Sequence, residues 1–223
     1  MLFFWSLILT SEPYLILQGE LSFQEVIKKS RFITYLAHIE GKQQALDYLQ
    51  SIKGLHKEAR HHCWAYIAAS PKDSVQMGCS DDGEPKGTAG KPMMSLLQGT
   101  DVGELMAVVV RYSGGIKLGT GGLVRAYSNG IQQLIPQMNT VEKRFYQQYR
   151  VECDYAQLSL LENVLNSMSG HLVSVEYLQS INALIEVDQA FTEQFIARLT
   201  AITQGKVVAK KIPYNTSKSE MSP

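Results

Sequence analysis

An excess of charge of either sign is what this chain most plainly lacks. Lys and Arg number 21 and Asp and Glu also 21, so bulk attraction to nucleic acid or anionic lipid is excluded and any electrostatic footprint has to be local. Cysteine is scarce too. Cys63, Cys79 and Cys153 are odd in number and show no C-x-x-C spacing, which argues against a disulfide framework or a zinc site and for a reducing compartment. Long apolar runs are missing. The apolar stretch 1–9 falls short of the roughly 20 residues a membrane-spanning helix needs, and it has neither the basic n-region nor the small-residue cleavage site of a secretory signal. It is expected to be a start-site artefact or a loosely packed extension, with an added edge strand or a partner-binding anchor as the alternative. A cytoplasmic monomer with no membrane partner is expected.

What is present supports a folded protein with one large core or two modest ones, since 45% of the 223 residues are hydrophobic. Residues 32–39 read as a strand, and Ala45, Leu46, Leu49 and Ile52 then recur at helical spacing up to Gly54. Residues 61–69 alternate, with Cys63, Ala65 and Ile67 on one face and Trp64 and Tyr66 on the other. Residues 77–80 can pair back through the Asp82-Gly83 turn, and a short helix is expected near 92–97, with Pro92 in its first turn. The unbroken run 105–110 predicts a strand covered on both faces or central in its sheet. Leu123, Tyr127, Ile131 and Leu134 form a helical stripe, with Thr120 as its N-cap. From 141 onward the order is strand 145–153, helix 158–168, strands 171–179 and 181–187, helix 191–202 and strand 206–212, the β-α-β-β-α-β pattern of a ferredoxin-like domain. The expected division is an extension at 1–13, an amino-terminal domain at 14–140, a carboxy-terminal domain at 141–212 and a disordered tail at 213–223; the fold class is α+β with two domains.

The segment 81–122 is the densest in information. It opens Asp81-Asp82-Gly83-Glu84-Pro85-Lys86-Gly87-Thr88-Ala89-Gly90-Lys91-Pro92 and closes Arg111-Tyr112-Ser113-Gly114-Gly115-Ile116-Lys117-Leu118-Gly119-Thr120-Gly121-Gly122. Glycines at this density admit close backbone approach and positive φ angles. No Cys, His or Ser stands there beside a base, so a binding surface is the first reading and no catalytic residue is assigned. Asp81, Asp82 and Glu84 are either magnesium ligands or a polar turn; the turn is the expectation, and no metal or cofactor is assigned. Gly90-Lys91 does not complete a P-loop, because Pro85 stands where its first glycine belongs and Pro92 where a hydroxyl residue should follow.

The turn Gly119-Thr120-Gly121-Gly122 before a helix is the better anion candidate, with Lys86, Lys91, Arg111, Lys117 and Arg125 as the accompanying cations. The alternative is that these glycines only let the helix pack on the sheet, and that Arg111 pairs internally with Glu104 or Asp101. His61 and His62, adjacent on a strand, point to opposite faces and cannot share one ion. The cluster Lys28-Lys29-Ser30-Arg31 is a solvated strand start that extends a basic face if it folds near Lys117.

Asp81-Asp82-Gly83-Glu84-Pro85, Thr88-Ala89-Gly90-Lys91-Pro92, Val108-Val109-Val110-Arg111-Tyr112, Gly114-Gly115, Leu118-Gly119-Thr120-Gly121-Gly122-Leu123, His61-His62-Cys63 and Lys29-Ser30-Arg31-Phe32-Ile33 together resemble the IMPACT/YigZ family, over roughly 26–212. Where family members carry a second aromatic before Gly-Gly, this chain has Ser113. The resemblance implies an amino-terminal α/β sandwich like domain two of ribosomal small-subunit protein five, a carboxy-terminal domain like the last domain of elongation factor G, and roles in translation regulation. The expected function is non-enzymatic: binding RNA, the ribosome or a translation-associated protein through the glycine-rich basic face. The alternative is an enzyme or binder for a phosphorylated small molecule or nucleotide.

Overall fold

The computed structural model describes residues 12–213; the readings of 1–11 and 214–223 lie outside the described residues. The chain forms two compact units, Tyr14–Lys143 and a second from Arg144 onward. No helix among the described residues is long and apolar enough to cross a membrane.

The first unit runs β1 (Tyr14–Leu17), β2 (Glu20–Ile27), β3 (Ser30–His38), α1 (Gly41–Leu55), β4 (His61–Ile67), β5 (Met77–Ser80), α2 (Gly90–Gln98), β6 (Val102–Gly103), β7 (Leu105–Tyr112), α3 (Thr120–Leu134) and β8 (Thr140–Lys143). Its main sheet has the order β2-β3-β7-β4-β5 and is antiparallel throughout. β7 lies at the centre, and Leu105 to Val110 are all buried, as an apolar run without alternation requires. On one face, Cys63, Ala65 and Ile67 of β4 and Ala107 and Val109 of β7 meet Met93 and Leu97 of α2 and Leu123, Tyr127 and Ile131 of α3. On the other face, Tyr66, Met106, Val108 and Val110 pack against Ala45, Leu49 and Ile52 of α1, with Trp64 half-buried beside them. The period-2 split read for β4 therefore holds. Tyr127 and Phe32 meet edge to face with centroids 5.4 Å apart, the favoured geometry for two aromatic quadrupoles.

Three local readings change. β5 pairs with β4 through the connection preceding it, so Asp82-Gly83 is a turn towards α2 and not a hairpin loop. The N-cap of α3 is Gly119 at φ 75° with no side-chain cap bond, so Thr120 is the first helical residue. β1 and β2 had no counterpart in the sequence reading. β1 joins β6 and β8 in a small second sheet, which carries 140–143 into the first unit.

That small sheet is pinned by Glu104, a buried carboxylate at φ 51°. It accepts hydrogen bonds from Tyr14 at 3.0 Å, His38 at 2.8 Å and Lys143 at 2.6 Å. Lys143 also donates to Glu40 at 2.8 Å. Burial opposes the ammonium charge most strongly, yet the bonds to Glu104 and Glu40 outweigh it and hold the Lys143 pKa above its usual value.

The second unit runs β9 (Tyr146–Cys153), α4 (Tyr155–Asn166), β10 (His171–Tyr177), β11 (Ile181–Asp188), α5 (Thr192–Thr203) and β12 (Ala209–Lys211). Its sheet order β10-β11-β9-β12, antiparallel at every pair, is the ferredoxin-like arrangement. A capping box of Asp154 and Gln157 starts α4. Tyr149, Val151, Ile181, Ile185 and Val187 supply the sheet's buried face against Leu161, Leu165, Phe195 and Leu199.

Candidate functional site

The antiparallel register brings the informative segments to one end of the main sheet. Ile27 faces Ser30 across the β2–β3 turn, Arg31 faces Tyr112, and His61 faces Arg111. The turn residues Lys28 and Lys29 sit at φ 44° and 65°. From this end leave the two glycine-rich loops, one following β5 and the other following β7.

The first loop is organised by its carboxylates. Asp81 accepts backbone N–H bonds from Gly87 at 2.8 Å, Gly90 at 2.9 Å and Ala89 at 3.0 Å. Desolvation is the largest single influence on this carboxyl and raises its pKa, but the three N–H donors together outweigh it and hold the group below the usual Asp value. A Cβ at Gly90 would stand 2.8 Å from the Ser80 carbonyl carbon, so the loop closes onto β5 only with glycine there. Asp82 accepts from the His62 backbone N–H at 2.7 Å and lies 3.7 Å from the Lys53 ammonium. Glu84 turns its side chain inward and accepts from Arg111 and from the Tyr127 hydroxyl, both at 2.7 Å. Burial, with Cys63 and Glu84 adding to it, raises the Tyr127 pKa strongly. Each carboxylate thus answers a different set of donors, and among the described residues no group of three His, Cys, Asp or Glu is arranged to hold a metal ion. Asp82 and Gly83 hold φ 40° and 86° at this turn.

Arg111 needs correction as a phosphate ligand. Its side chain is 10% exposed, one amine is bound to Glu84, another lies 3.4 Å from Ser30 Oγ, and its guanidinium stands 5.6 Å from the Phe32 ring centroid. It pairs internally, with Glu84 rather than with Glu104 or Asp101. His61 lies 2.9 Å from the Asp82 carbonyl and 4.0 Å from Glu84, and His62 lies 3.9 Å from the Asp82 carboxylate. Burial holds the His62 pKa below its usual value. Cys63 donates to the Asp81 carbonyl at 3.0 Å and is pushed up to about 12 by burial; it is a core thiol, not a nucleophile.

The second loop leans on the β2–β3 turn. Gly114 donates its N–H to Ser30 Oγ at 3.1 Å, and a Cβ on Gly114 would collide with the Lys29 carbonyl. Gly115 and Gly119 hold φ 79° and 75°. Gly121 has open space around its Cα, whereas a Cβ on Gly122 would touch Leu118 at 3.1 Å. Beside the start of α3 runs an open groove of about 720 Å³, lined among others by Lys28, Leu118, Gly122, Arg125, Ser128 and Asn129. Asn129 donates to both oxygens of Glu25, at 3.0 and 2.9 Å, which occupies the nearest carboxylate of β2.

Lys28, Lys29, Arg31, Lys86, Lys91, Lys117 and Arg125 are all exposed. None of the seven forms an ion pair among the described residues. Lys28 and Arg125 line the same groove beside α3, Arg31 lies over Tyr112 on the α1 side of the sheet, and Lys86 and Lys91 stand on the carboxylate-held loop and the start of α2.

One constellation escaped the sequence reading. Tyr35 and Tyr112 hydroxyls bind the two ring nitrogens of His56 at 2.7 and 2.9 Å, and the Arg31 guanidinium lies 4.2 Å over the Tyr112 ring. No local pattern joins Tyr35, on a strand covered on both faces, to a histidine just past α1.

Residues 28–135 match the family model described as Impact N-terminal domain, and 151–206 match that described as Domain of unknown function (DUF1949). An "IMPACT family member" of Haemophilus influenzae is 47% identical over 195 residues, covering 87% of this chain and 95% of that protein. "IMPACT family member YigZ" of Escherichia coli is 44% identical over 196 residues, covering 88% and 96%. A solved structure, "Crystal structure of an hypothetical protein", is 42% identical and superposes with a TM-score of 0.64, covering 91% of this chain and 98% of that one. Identity of this extent, across both units, makes this chain a member of the IMPACT family.

Proposed function

We propose that this chain is a non-enzymatic, translation-linked binding protein of the cytoplasm that engages RNA phosphates through the glycine-rich, basic end of its main sheet. The observation that carries this reading is an asymmetry of charge. The carboxylates of the first loop are engaged by backbone N–H groups, Lys53 and Arg111, while seven cations of the glycine-rich segments and the β2–β3 turn stay exposed without ion-pair partners among the described residues. Exposed cations without counter-charges on an otherwise neutral chain support a local phosphate-binding role, which needs such charges. Glycines at 114, 115, 119 and 121 keep side chains away from the backbone of those segments. Family membership supports a regulatory role, and the buried state of Cys63 and His62 supports binding over catalysis.

Cross-linking in cells, followed by recovery of RNA and protein partners, tests the proposal: ribosomal RNA is the expected product. A second reading rests on the groove beside α3. At about 720 Å³, with Lys28 and Arg125 on its wall, it has the size of a small-molecule site. If the purified protein bound no RNA but melted higher with a nucleotide added, that reading would replace the first.

A further inference from the structure

One of these cations, Arg31, adjoins a set of rings tied to one another by hydrogen bonds. Tyr35 and Tyr112 clamp His56 from both nitrogens, with ring centroids 5.8 and 6.0 Å apart. Arg31, exposed and without an ion pair among the described residues, lies over Tyr112 with its guanidinium carbon 4.2 Å from the ring centroid. This stack belongs to the same two chain segments as the basic surface. Arg31 follows the Lys28-Lys29 turn, Tyr112 precedes Gly114-Gly115, and Ser30 ties the two through its bond from the Gly114 N–H.

Resting on the RNA reading above, we propose that the Arg31–Tyr112 stack is a base-stacking platform, so that the RNA bound is single-stranded. A guanidinium plane backed by an aromatic ring accepts an unstacked base on its outer face, and every base offers such a face. Lys28, Lys29 and Lys117 then take the flanking phosphates. A duplex, whose bases are stacked on one another, gains only the phosphate interactions. Arginine is needed for this role, because lysine carries the same charge as a compact ammonium without a stacking plane.

The test compares the intact protein with its Arg31→Lys variant, using a short single-stranded RNA of about 12 nucleotides carrying one 2-aminopurine, within the span such grooves take, and a duplex of the same sequence. The parent is expected to quench the 2-aminopurine and to bind the single strand more tightly than the duplex. Arg31→Lys should lose the quenching and about tenfold in single-strand affinity, with an unchanged salt slope and unchanged duplex binding. Equal loss for strand and duplex, or no loss at all, would overturn the platform and leave phosphate binding standing. A parent that binds neither RNA would overturn both.

Discussion

Glu84 and Arg111, 27 positions apart, form a 2.7 Å ion pair inside the first unit, with side chains only 4% and 10% exposed. The pair joins the first glycine-rich loop to the end of the central strand, and Tyr127 of α3 completes it from the helix layer. A carboxylate expected in a polar turn, and an arginine counted among the phosphate-binding cations, thus neutralise one another.

Removing one partner should be costly. Glu84→Ala leaves the Arg111 guanidinium buried without a counter-charge, and a loss of about 3–5 kcal/mol in unfolding free energy is expected. Chemical denaturation measures it. A loss below about 1 kcal/mol would mean that water reaches the pair freely.

The glycines divide by what a Cβ would meet. Gly130 lies in α3 with Thr34 Oγ1 where its Cβ would be, so Gly130→Ala should destabilise by about 1–3 kcal/mol despite the better helix propensity of alanine. Gly121 lies in the first turn of the same helix with open space around it, and Gly121→Ala should stabilise by about 0.5–1 kcal/mol. Thermal melting of the two variants should give shifts of opposite sign; a common sign would contradict this division.

Stability should fall on mild acidification. Burial holds the pKa values of both His56 and His62 below the usual histidine value. Below about pH 6.5 the unfolded chain takes up protons that these folded rings refuse, so unfolding is favoured as pH drops through that range. The denaturation midpoint should decrease between about pH 7.5 and about pH 5.5, and His56→Gln with His62→Gln should flatten the decrease. An unaltered slope in the double variant would assign the effect elsewhere.

The first unit should need its last strand. β8 pairs with β1 from Thr140 to Lys143, and Lys143 reaches the buried Glu104. A fragment 14–143 should melt as a cooperative unit, whereas 14–138 should lose about 2 kcal/mol or more, for want of both the pairing and a charged hydrogen bond. Equal melting of the two fragments would contradict this.

The sequence made the two-domain α+β plan legible wherever periodicity was strong: the apolar run of β7, the alternation of β4, the stripe of α3 and the β-α-β-β-α-β order of the second unit. It hid what depends on partners distant in sequence. β8 reads as a linker because its residues are exposed or only half-buried, and only β1, near the other end of the unit, makes it a strand. Arg111 reads as a free cation because Glu84 lies beyond the local window. The Tyr35–His56–Tyr112 clamp spans three separate parts of the chain, which no spacing rule joins. Lys28, Lys29, Arg31, Lys117 and Arg125 are legible as cations, but the approach of the 28–31 turn to the end of β7 follows only from the register of β2, β3 and β7.

The central claim is that the exposed cations at the glycine-rich end hold RNA phosphates, and the most direct measurement is a salt titration of single-stranded RNA affinity for the parent and for Lys117→Ala with Arg125→Ala, each shown by melting to be folded. The account predicts weaker binding to all sequences alike and a plot of log affinity against log salt flattened by about 0.7 for each phosphate no longer held. Unchanged affinity and slope in the double variant would contradict it.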